Sequence, residues 1–238
     1  MGKVDLNCDM GEGKGNDALI IPYISSVSIA CGYHAGDVDL MYQAVSLAEK
    51  HNVSIGAHVS YLDKDNFGRS EMNLPEQEVY ELVQQQLIIL KEITDLFDLP
   101  LSHVKPHGAL YNQSARDSRL AKTIAQAVKD FDEHLVLFGL SGSYSVREAE
   151  LLGIKTCHEV FADRTYQDDG SLTPRSVPGA LIEDVWEAVT QVLQMINEGT
   201  VKTVTGKVIP IVAETICIHG DGKHAIEFAK SIHKAIRE

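Results

Sequence analysis

Polar side chains follow short apolar runs at six places along the chain, and together they include carboxylates, histidines, a lysine and an arginine. The six clusters cover residues 5–15, 31–37, 56–61, 105–111, 159–164 and 219–221. A polar group buried at the end of a strand is unfavourable unless it is paired or used. These clusters are therefore the candidates for chemistry.

The first cluster reads DLNCDMGEGKG from Asp5 onward. Side chains alternate across a strand, so Asp5, Asn7 and Asp9 share one face of the strand predicted there. Asp9 lies nearest the strand end, where function is favoured. For Asp5, a hydrogen-bonded network at the floor of the fold is an equally good interpretation.

Two histidines follow the next two predicted strands, His34 in ACGYHAGD and His58 in GAHVSYLD. Together with Asp9 they form an Asp-His-His constellation that suits a divalent metal. A metal-free proton-transfer site fits the same residues equally well. Asp37, by contrast, is expected to cap the helix that follows it.

The segment VKPHGALYN places Lys105 in a predicted buried strand, directly before a proline and His107. Burial makes a lysine unfavourable unless an anion or a carboxylate neutralises it. Lys105 is therefore predicted to bind an anion or to take part in proton transfer. The alternative is a structural pair with a carboxylate inside the fold.

The later clusters add further ionisable side chains. Glu159 is an acid–base candidate, and the guanidinium of Arg164 suits a carboxylate or a phosphate. Residues 173–179 are predicted to form a loop that closes over the site, with Arg175 as a second anion contact. His219 and Asp221 follow the last predicted strand.

Other reactive residue types have simpler explanations. Widely spaced cysteines without a CxxC pair argue against structural zinc and predict small buried thiols; they are Cys8, Cys31, Cys157 and Cys217. Several histidines in predicted helices or at strand starts are expected at the surface; they are His51, His103, His134, His224 and His233. The segment around Ser141 lacks the GxSxG elbow of a serine hydrolase.

Short apolar runs alternate with amphipathic segments, a pattern typical of a βα architecture. Predicted strands cover residues 4–8, 27–31, 53–57, 103–105, 135–139, 155–159 and 216–219, and predicted helices cover residues 39–51, 75–97, 118–131 and 178–198. Residues 201–211 are hairpin-like. An open doubly wound sheet should carry GxGxxG after its first strand, and GxGxG stands there instead. We therefore predict one α/β domain over residues 1–238, a seven-stranded, TIM-like (β/α) barrel.

The charge balance limits the partners. A net charge of −13 disfavours nucleic acid and anionic membranes, but clustered arginines still allow a small anionic substrate. Neither a signal peptide nor a run of about 20 apolar residues is evident, so a cytoplasmic location is expected.

Seven ordered motifs resemble those of the LamB/YcsF family: DLNCDMGEG, ACGYHAGD, GAHVSYLD, VKPHGALYN, EVFADRTYQDDGSL, SVPGA and CIHGD. The resemblance spans residues 4–221 or more. It implies a seven-stranded barrel related to glycoside hydrolases and polysaccharide deacetylases. It further implies the A subunit of an ATP-dependent 5-oxoprolinase, which works with separate B and C subunits. The implied reaction converts 5-oxo-L-proline, ATP (with Mg²⁺) and water to L-glutamate, ADP and phosphate.

The resemblance also nominates site residues. The catalytic candidates are Asp9, His34, His58, Lys105, His107 and Glu159, and the substrate- or phosphate-binding candidates are Glu12, Arg164, His219 and Asp221. Arg175 joins the second group because of its position in the loop of residues 173–179. Two loops depart from the family pattern: Val59-Ser60 stands where Pro-Gly is common, and residues 11–15 read GEGKG. These changes concern loop shape and substrate fit.

Two other functions remain open at this point. One is a metal-dependent deacetylase or amidohydrolase that needs no ATP, which the Asp-His-His constellation favours. The other is a non-catalytic scaffold of a multisubunit complex, although so many ionisable groups at strand ends fit a scaffold poorly.

Overall fold

The computed structural model describes residues 4–220, 222 and 224–237. Asp221, a predicted substrate-binding residue, lies outside the described residues. No helix within the described ranges is both long and apolar enough to cross a membrane.

Seven parallel strands form a barrel in chain order. The last of them pairs with the first and closes it. They are β1 (Asp5–Met10), β2 (Ser26–Ala30), β3 (Ser54–Val59), β4 (His103–Pro106), β5 (Val136–Leu140), β6 (Thr156–Phe161) and β9 (Thr215–Ile218). A separate antiparallel hairpin joins β7 (Thr200–Lys202) to β8 (Val208–Pro210). The predicted seven-stranded barrel is confirmed, and so is the late hairpin.

Helices connect the strands and cover the barrel. They are α1 (Asp17–Ile20), α2 (Val38–His51), α3 (Glu76–Asp95), α4 (Gly108–Arg116), α5 (Ser118–Phe131), α6 (Tyr144–Leu151), α7 (Val185–Glu198) and α8 (Ala225–Ala235), with a 3₁₀ turn at Ile21–Tyr23. Asp37 caps α2 through Leu40 N, as predicted. The sequence analysis missed α1, α4, α6 and α8; the first three are short, and α4 coincides with the Lys105 cluster.

The alternation along β1 separates the apolar core from the polar interior. Leu6, Cys8 and Met10 are buried in the apolar core. Asn7 points the other way and crosses the barrel, where its Nδ2 donates to Glu159 Oε1 on β6 at 3.0 Å. Asp5 accepts from the hydroxyls of Ser25, Ser26 and Thr215, which is the structural network at the barrel floor.

Two predictions about individual segments were wrong. The last long helix begins at Val185 rather than at residue 178, because the preceding residues extend alongside Arg164, with Leu181 opposite it. Asp184 caps the helix through Glu187 N.

His103 is not at the surface: it is buried, stacks on Phe138 at 4.1 Å and contacts Ser28 Oγ. A side chain at a strand start points into the barrel when its register demands it, whatever its polarity.

Candidate active site and metal-ligating cluster

A cavity of about 1250 Å³ opens among the loops that follow the barrel strands. Its lining includes Asp9, Lys105, His107, Glu159 and His219. This is the end of a βα-barrel at which parallel strands deliver side chains from several loops to one place. The polar clusters that follow the strands are far apart along the chain, but the barrel brings them to the same cavity.

Five arginines line the cavity, together with the acidic residues Glu71 and Asp169. The arginines that line it are Arg69, Arg116, Arg147, Arg164 and Arg175. One of them, Arg116, is paired with Glu71 at 2.6 Å. A wall of this kind in a chain of net charge −13 concentrates positive potential where a small anion can bind.

Lys105 is the centre of a buried charged network inside the barrel. Its Nζ lies 2.6 Å from Asp9 Oδ1 and 2.9 Å from Glu159 Oε1. It also donates to Asn7 Oδ1 at 2.9 Å. An ammonium group has three N–H donors, and three oxygens surround this one. The pairing of Lys105 with carboxylates, one of the two interpretations from sequence, is present in the structure.

The network fixes the charge states of its members. Burial acts to lower the pKa of Lys105, but Asp9, Cys217 and Glu159 together outweigh it and raise that pKa well above the usual value. Burial likewise acts to raise the pKa of Asp9, but its neighbours His58 and Lys105 hold that pKa well below the usual range. At neutral pH, Asp9 is therefore a carboxylate and Lys105 an ammonium ion.

Glu159 combines two differently placed oxygens. Its Oε1 accepts from both Lys105 and Asn7, at 2.9 and 3.0 Å. Its Oε2 is buried and has no hydrogen-bond partner among the residues that the structure describes. Burial and Glu159 raise the pKa of the Tyr111 hydroxyl, which lines the same cavity, so Oε2 can accept a hydrogen bond from Tyr111 or from a ligand.

Three histidines and Glu12 meet beside this network. One ligand atom each from Glu12, His34, His58 and His107 lies within 4.8 Å of all the others. His34 Nε2 is 3.4 Å from Glu12 Oε1, and His107 Nδ1 is 2.9 Å from His58 Nε2. The four residues follow or end β1, β2, β3 and β4, so four adjacent strands supply them.

The metal set predicted from sequence was Asp9, His34 and His58. The structure brings the two histidines together with Glu12 and His107, while Asp9 Oδ2 lies 3.3 Å from His58 Nε2. A second group of metal-ligating atoms joins Asp9 to Cys217 and His219. Burial lowers the pKa of His34 to about 2 and that of His107 well below its usual value, so both rings are neutral at pH 7.

The predicted anion-binding residues Arg164, Arg175 and His219 also line the cavity. Arg164 Nη2 donates to Thr173 O at 2.6 Å, while its buried Nε lacks a partner among the described residues. Burial, together with the positive charge of Arg175, lowers the pKa of Arg164 to about 10. His219 Nδ1 contacts both carboxylate oxygens of Asp163, at 2.9 and 2.8 Å. The loop of residues 173–179 contributes to the cavity wall.

Sequence reasoning missed some of the residues that position the site. Gly68 has φ +65°, and a Cβ there would lie 2.7 Å from His34 Cβ and 2.9 Å from His107 Cδ2. Phe67 O accepts from His107 Nε2 at 2.9 Å. Both residues lie in the loop after β3, which carries no signal in the sequence beyond a single glycine.

The chain is similar to known proteins over nearly its whole length. Two strains of Staphylococcus epidermidis have a protein named as the A subunit of 5-oxoprolinase that is 48% identical over 239 residues, covering 98% of this chain and 95% of that protein. The crystal structure of the lactam utilization protein from Thermus thermophilus superposes with a TM-score of 0.91 at 42% identity, covering 99% of this chain and 96% of that one.

More distant structures share the fold alone. A family 4 carbohydrate esterase from Streptomyces lividans gives a TM-score of 0.53 at 11% identity and covers 99% of this chain and 88% of its own. A GH113 β-1,4-mannanase gives 0.52 at 10% identity, with complete coverage of both chains. The model of the LamB/YcsF family matches residues 4–238. The chain therefore belongs to the LamB/YcsF family.

Proposed function

We propose that this chain opens the lactam ring of 5-oxo-L-proline as the catalytic subunit of an ATP-dependent 5-oxoprolinase. The names of its relatives support a role in lactam hydrolysis. The observation that carries the proposal is the buried Asp9–Lys105–Glu159 network, which faces a cavity walled by arginines. It provides carboxylates for proton transfer beside a region that attracts anions.

The chemistry requires an activated substrate. A five-membered lactam is resonance-stabilised, so its carbonyl carbon resists attack by water near neutral pH. Phosphorylation of the carbonyl oxygen by ATP removes that stabilisation. One water then adds to the carbon, and the C–N bond breaks to leave an amine and an acyl phosphate. A second water releases phosphate, which completes the formation of L-glutamate.

The carboxylates have different roles in this scheme. Asp9 lines the cavity and is ionised, so it is the base that takes a proton from the attacking water. The ring nitrogen gains, as the C–N bond breaks, the proton that Asp9 took from the water, and Glu159 Oε2 accepts a hydrogen bond from that nitrogen. Lys105 holds both carboxylates in place, because its ammonium group donates to Glu159 and Asn7 and forms an ion pair with Asp9.

The arginine wall has a matching role. Arg164 keeps a buried Nε that is not satisfied by the described residues, and Arg175 is close enough to depress its pKa. Two guanidinium groups placed together favour an anion between them. They therefore bind the transferred phosphoryl group or the carboxylate of 5-oxoproline, and they stabilise the charge that develops as phosphate leaves.

The division of labour follows from what this chain offers. Its sequence contains no GxxxxGK[ST] phosphate loop, so separate B and C subunits bind Mg²⁺–ATP and carry out or assist phosphorylation. The naming of the relatives as one subunit of an enzyme supports a multisubunit complex. We propose a cytoplasmic location, where ATP is available to the complex.

The test measures ATP hydrolysis that depends on 5-oxoproline, with this chain and the candidate partners mixed or separate. Glutamate formation only when all are present is the expected result. Ring opening by this chain without ATP contradicts the proposal and favours a metal-dependent amidohydrolase. Full activity of the partners alone contradicts it as well and favours a scaffold.

A further inference from the structure

In the cluster of Glu12, His34, His58 and His107, each histidine has one outer ring nitrogen, pointing away from the other three residues, that donates a hydrogen bond to a protein oxygen. His58 Nδ1 lies 3.0 Å from Lys105 O, and His107 Nε2 lies 2.9 Å from Phe67 O. A carbonyl oxygen only accepts, so each of these nitrogens carries the hydrogen. In a neutral ring the other nitrogen, which points into the cluster, then carries a lone pair and no hydrogen.

These two lone pairs face each other. His58 Nε2 and His107 Nδ1 are 2.9 Å apart. With both outer nitrogens protonated, neither inner nitrogen of the neutral rings has a hydrogen to place between them. The contact is therefore repulsive unless a cation lies beside it.

His34 is held in the same way. Its Nδ1 lies 2.9 Å from Ser60 Oγ, whose hydroxyl donates to Tyr61 O at 3.0 Å and so accepts from the histidine. His34 Nε2 is then a lone pair, and it lies 3.4 Å from the carboxylate oxygen Glu12 Oε1. Four electron-pair donors thus converge, and none of the hydrogens assigned in this way lies between them.

From this arrangement we infer that Glu12, His34, His58 and His107 form a binding site for a divalent transition metal, with Zn²⁺ as the best match. Imidazole nitrogens and a carboxylate are the ligands that Zn²⁺ takes in proteins. Bonds of about 2.0–2.1 Å in a tetrahedron place ligand atoms about 3.3 Å apart. His58 and His107 are 2.9 Å apart, His34 and Glu12 3.4 Å, and His107 and Glu12 3.9 Å, and all four ligand atoms lie within 4.8 Å of one another.

A proton is the rival cation. Asp9 Oδ2 lies 3.3 Å from His58 Nε2, so a protonated His58 is stabilised by Asp9 and shares its proton with His107. That single proton leaves His34 Nε2 and Glu12 Oε1 facing each other as acceptors. A metal ion satisfies all four atoms at once, and the fixed outer hydrogen bonds are those that orient metal-binding histidines.

The site is accessible to a substrate. His58 and His107 line the same cavity as Asp9 and Lys105. A bound Lewis acid there supplies polarisation of a carbonyl or phosphoryl oxygen, or a water of lowered pKa. That use of the site rests on the proposed function, whereas binding of the metal does not.

The experiment measures metal binding by the full purified chain without lactam, ATP or partners. Elemental analysis after saturation with Zn²⁺ and dialysis should give about one ion per chain, and Co²⁺ should give the visible absorption band of a tetrahedral site. His107→Ala and His34→Gln should lose the ion. His219→Ala should retain it, because His219 belongs to the other group of ligating atoms.

A variant outside the ligands protects the test against misfolding. Ser60→Ala removes the acceptor of His34 Nδ1 and should weaken metal affinity about 10- to 100-fold. Its matched control is Ser114→Ala, a buried hydroxyl that contacts Tyr111 O and Ser145 instead. The control should bind metal as the parent does.

Three results overturn the inference. They are a metal content near zero in the parent chain, unchanged affinity in Ser60→Ala, and loss of the ion in His219→Ala with retention in His34→Gln. A chain that holds its metal ion yet fails to support ring opening with partners contradicts the proposed function alone. The two proposals therefore fail separately.

Discussion

The ammonium nitrogen of Lys105 lies 2.6 Å from Asp9 Oδ1 in the interior of the barrel, and both side chains are almost completely buried. Their mutual charge stabilisation is therefore little screened by water. The second carboxylate, Glu159, shares the same nitrogen at 2.9 Å. This three-residue network links stability to chemistry, because the lysine that neutralises the interior also positions both carboxylates.

Replacing Lys105 with methionine should destabilise the protein by about 3–5 kcal/mol, because it leaves two buried carboxylates without their partner. Urea unfolding at pH 7 measures the change. Lys91→Met removes a pair with Asp95 on an exposed helix surface and should change stability by about 0.5 kcal/mol or less. The double variant Lys105→Met/Glu159→Gln should recover part of the loss, and equal effects at Lys105 and Lys91 would disprove the network's role.

His103 should make the protein sensitive to mild acid. Burial lowers its pKa from 6.5 to about 3, so the folded protein stays unprotonated there while the unfolded chain takes up a proton. Its contribution to stability is complete above about pH 6.5 and declines as the pH falls towards 3, by about 1.4 kcal/mol per pH unit. Between pH 6.5 and about pH 4.5, the free energy of unfolding of His103→Gln should therefore fall by about 2 kcal/mol less than that of the parent.

Urea unfolding at a series of pH values checks this prediction. The buried neutral rings of His34 and His107 titrate in the same direction in both proteins, so the difference isolates His103. Parallel pH curves for the two proteins would show that His103 is not neutral in the folded state.

Gly68 should be irreplaceable because it lies against two rings of the histidine cluster. Gly68→Ala forces an alanine into a left-handed backbone conformation, which destabilises the protein by about 1–2 kcal/mol. The added Cβ also displaces His34 and His107. Activity should fall at least about tenfold, since small displacements of reacting groups have effects of that size. Gly153→Ala has the same backbone strain but nothing within 4 Å, so it should lose stability and keep activity. Similar activity in both variants would contradict this.

Arg175 should contribute to phosphate binding. Arg175→Gln should weaken inhibition by inorganic phosphate about tenfold, because a charge-assisted hydrogen bond contributes about 1.5–3 kcal/mol. Initial rates of glutamate formation at increasing phosphate concentration measure the effect. Arg119→Ala is the control, since Arg119 pairs with Glu76 on the exposed surface. An unchanged inhibition constant in Arg175→Gln would remove Arg175 from the anion site.

The barrel and most of its polar interior could be predicted from the sequence. Runs of Val and Ile marked the strands, and the alternation of Asp5, Asn7 and Asp9 indicated which side chains point inward. The partners were harder to predict, because they depend on register across the barrel. Glu159 meets Lys105 only because β6 returns it to the same level, 54 residues along the chain.

The histidine cluster shows the same limit. His34 and His58 were predicted to share a site, but proximity to Glu12 and His107 depends on loop geometry. The loop after β3 carries Phe67 and Gly68 against the rings, and nothing in its local sequence pattern indicates that contact. His103 was misplaced for a related reason, since polarity alone does not reveal which face of a strand is internal.

The most direct test of the central claim is a comparison of glutamate and ADP formation by the parent chain and Asp9→Asn, each mixed with the partner subunits, 5-oxoproline and ATP. The account predicts that the parent couples the two products, whereas Asp9→Asn permits ADP formation but loses nearly all glutamate, because water lacks its base. Glutamate formation by Asp9→Asn at the rate of the parent would contradict it.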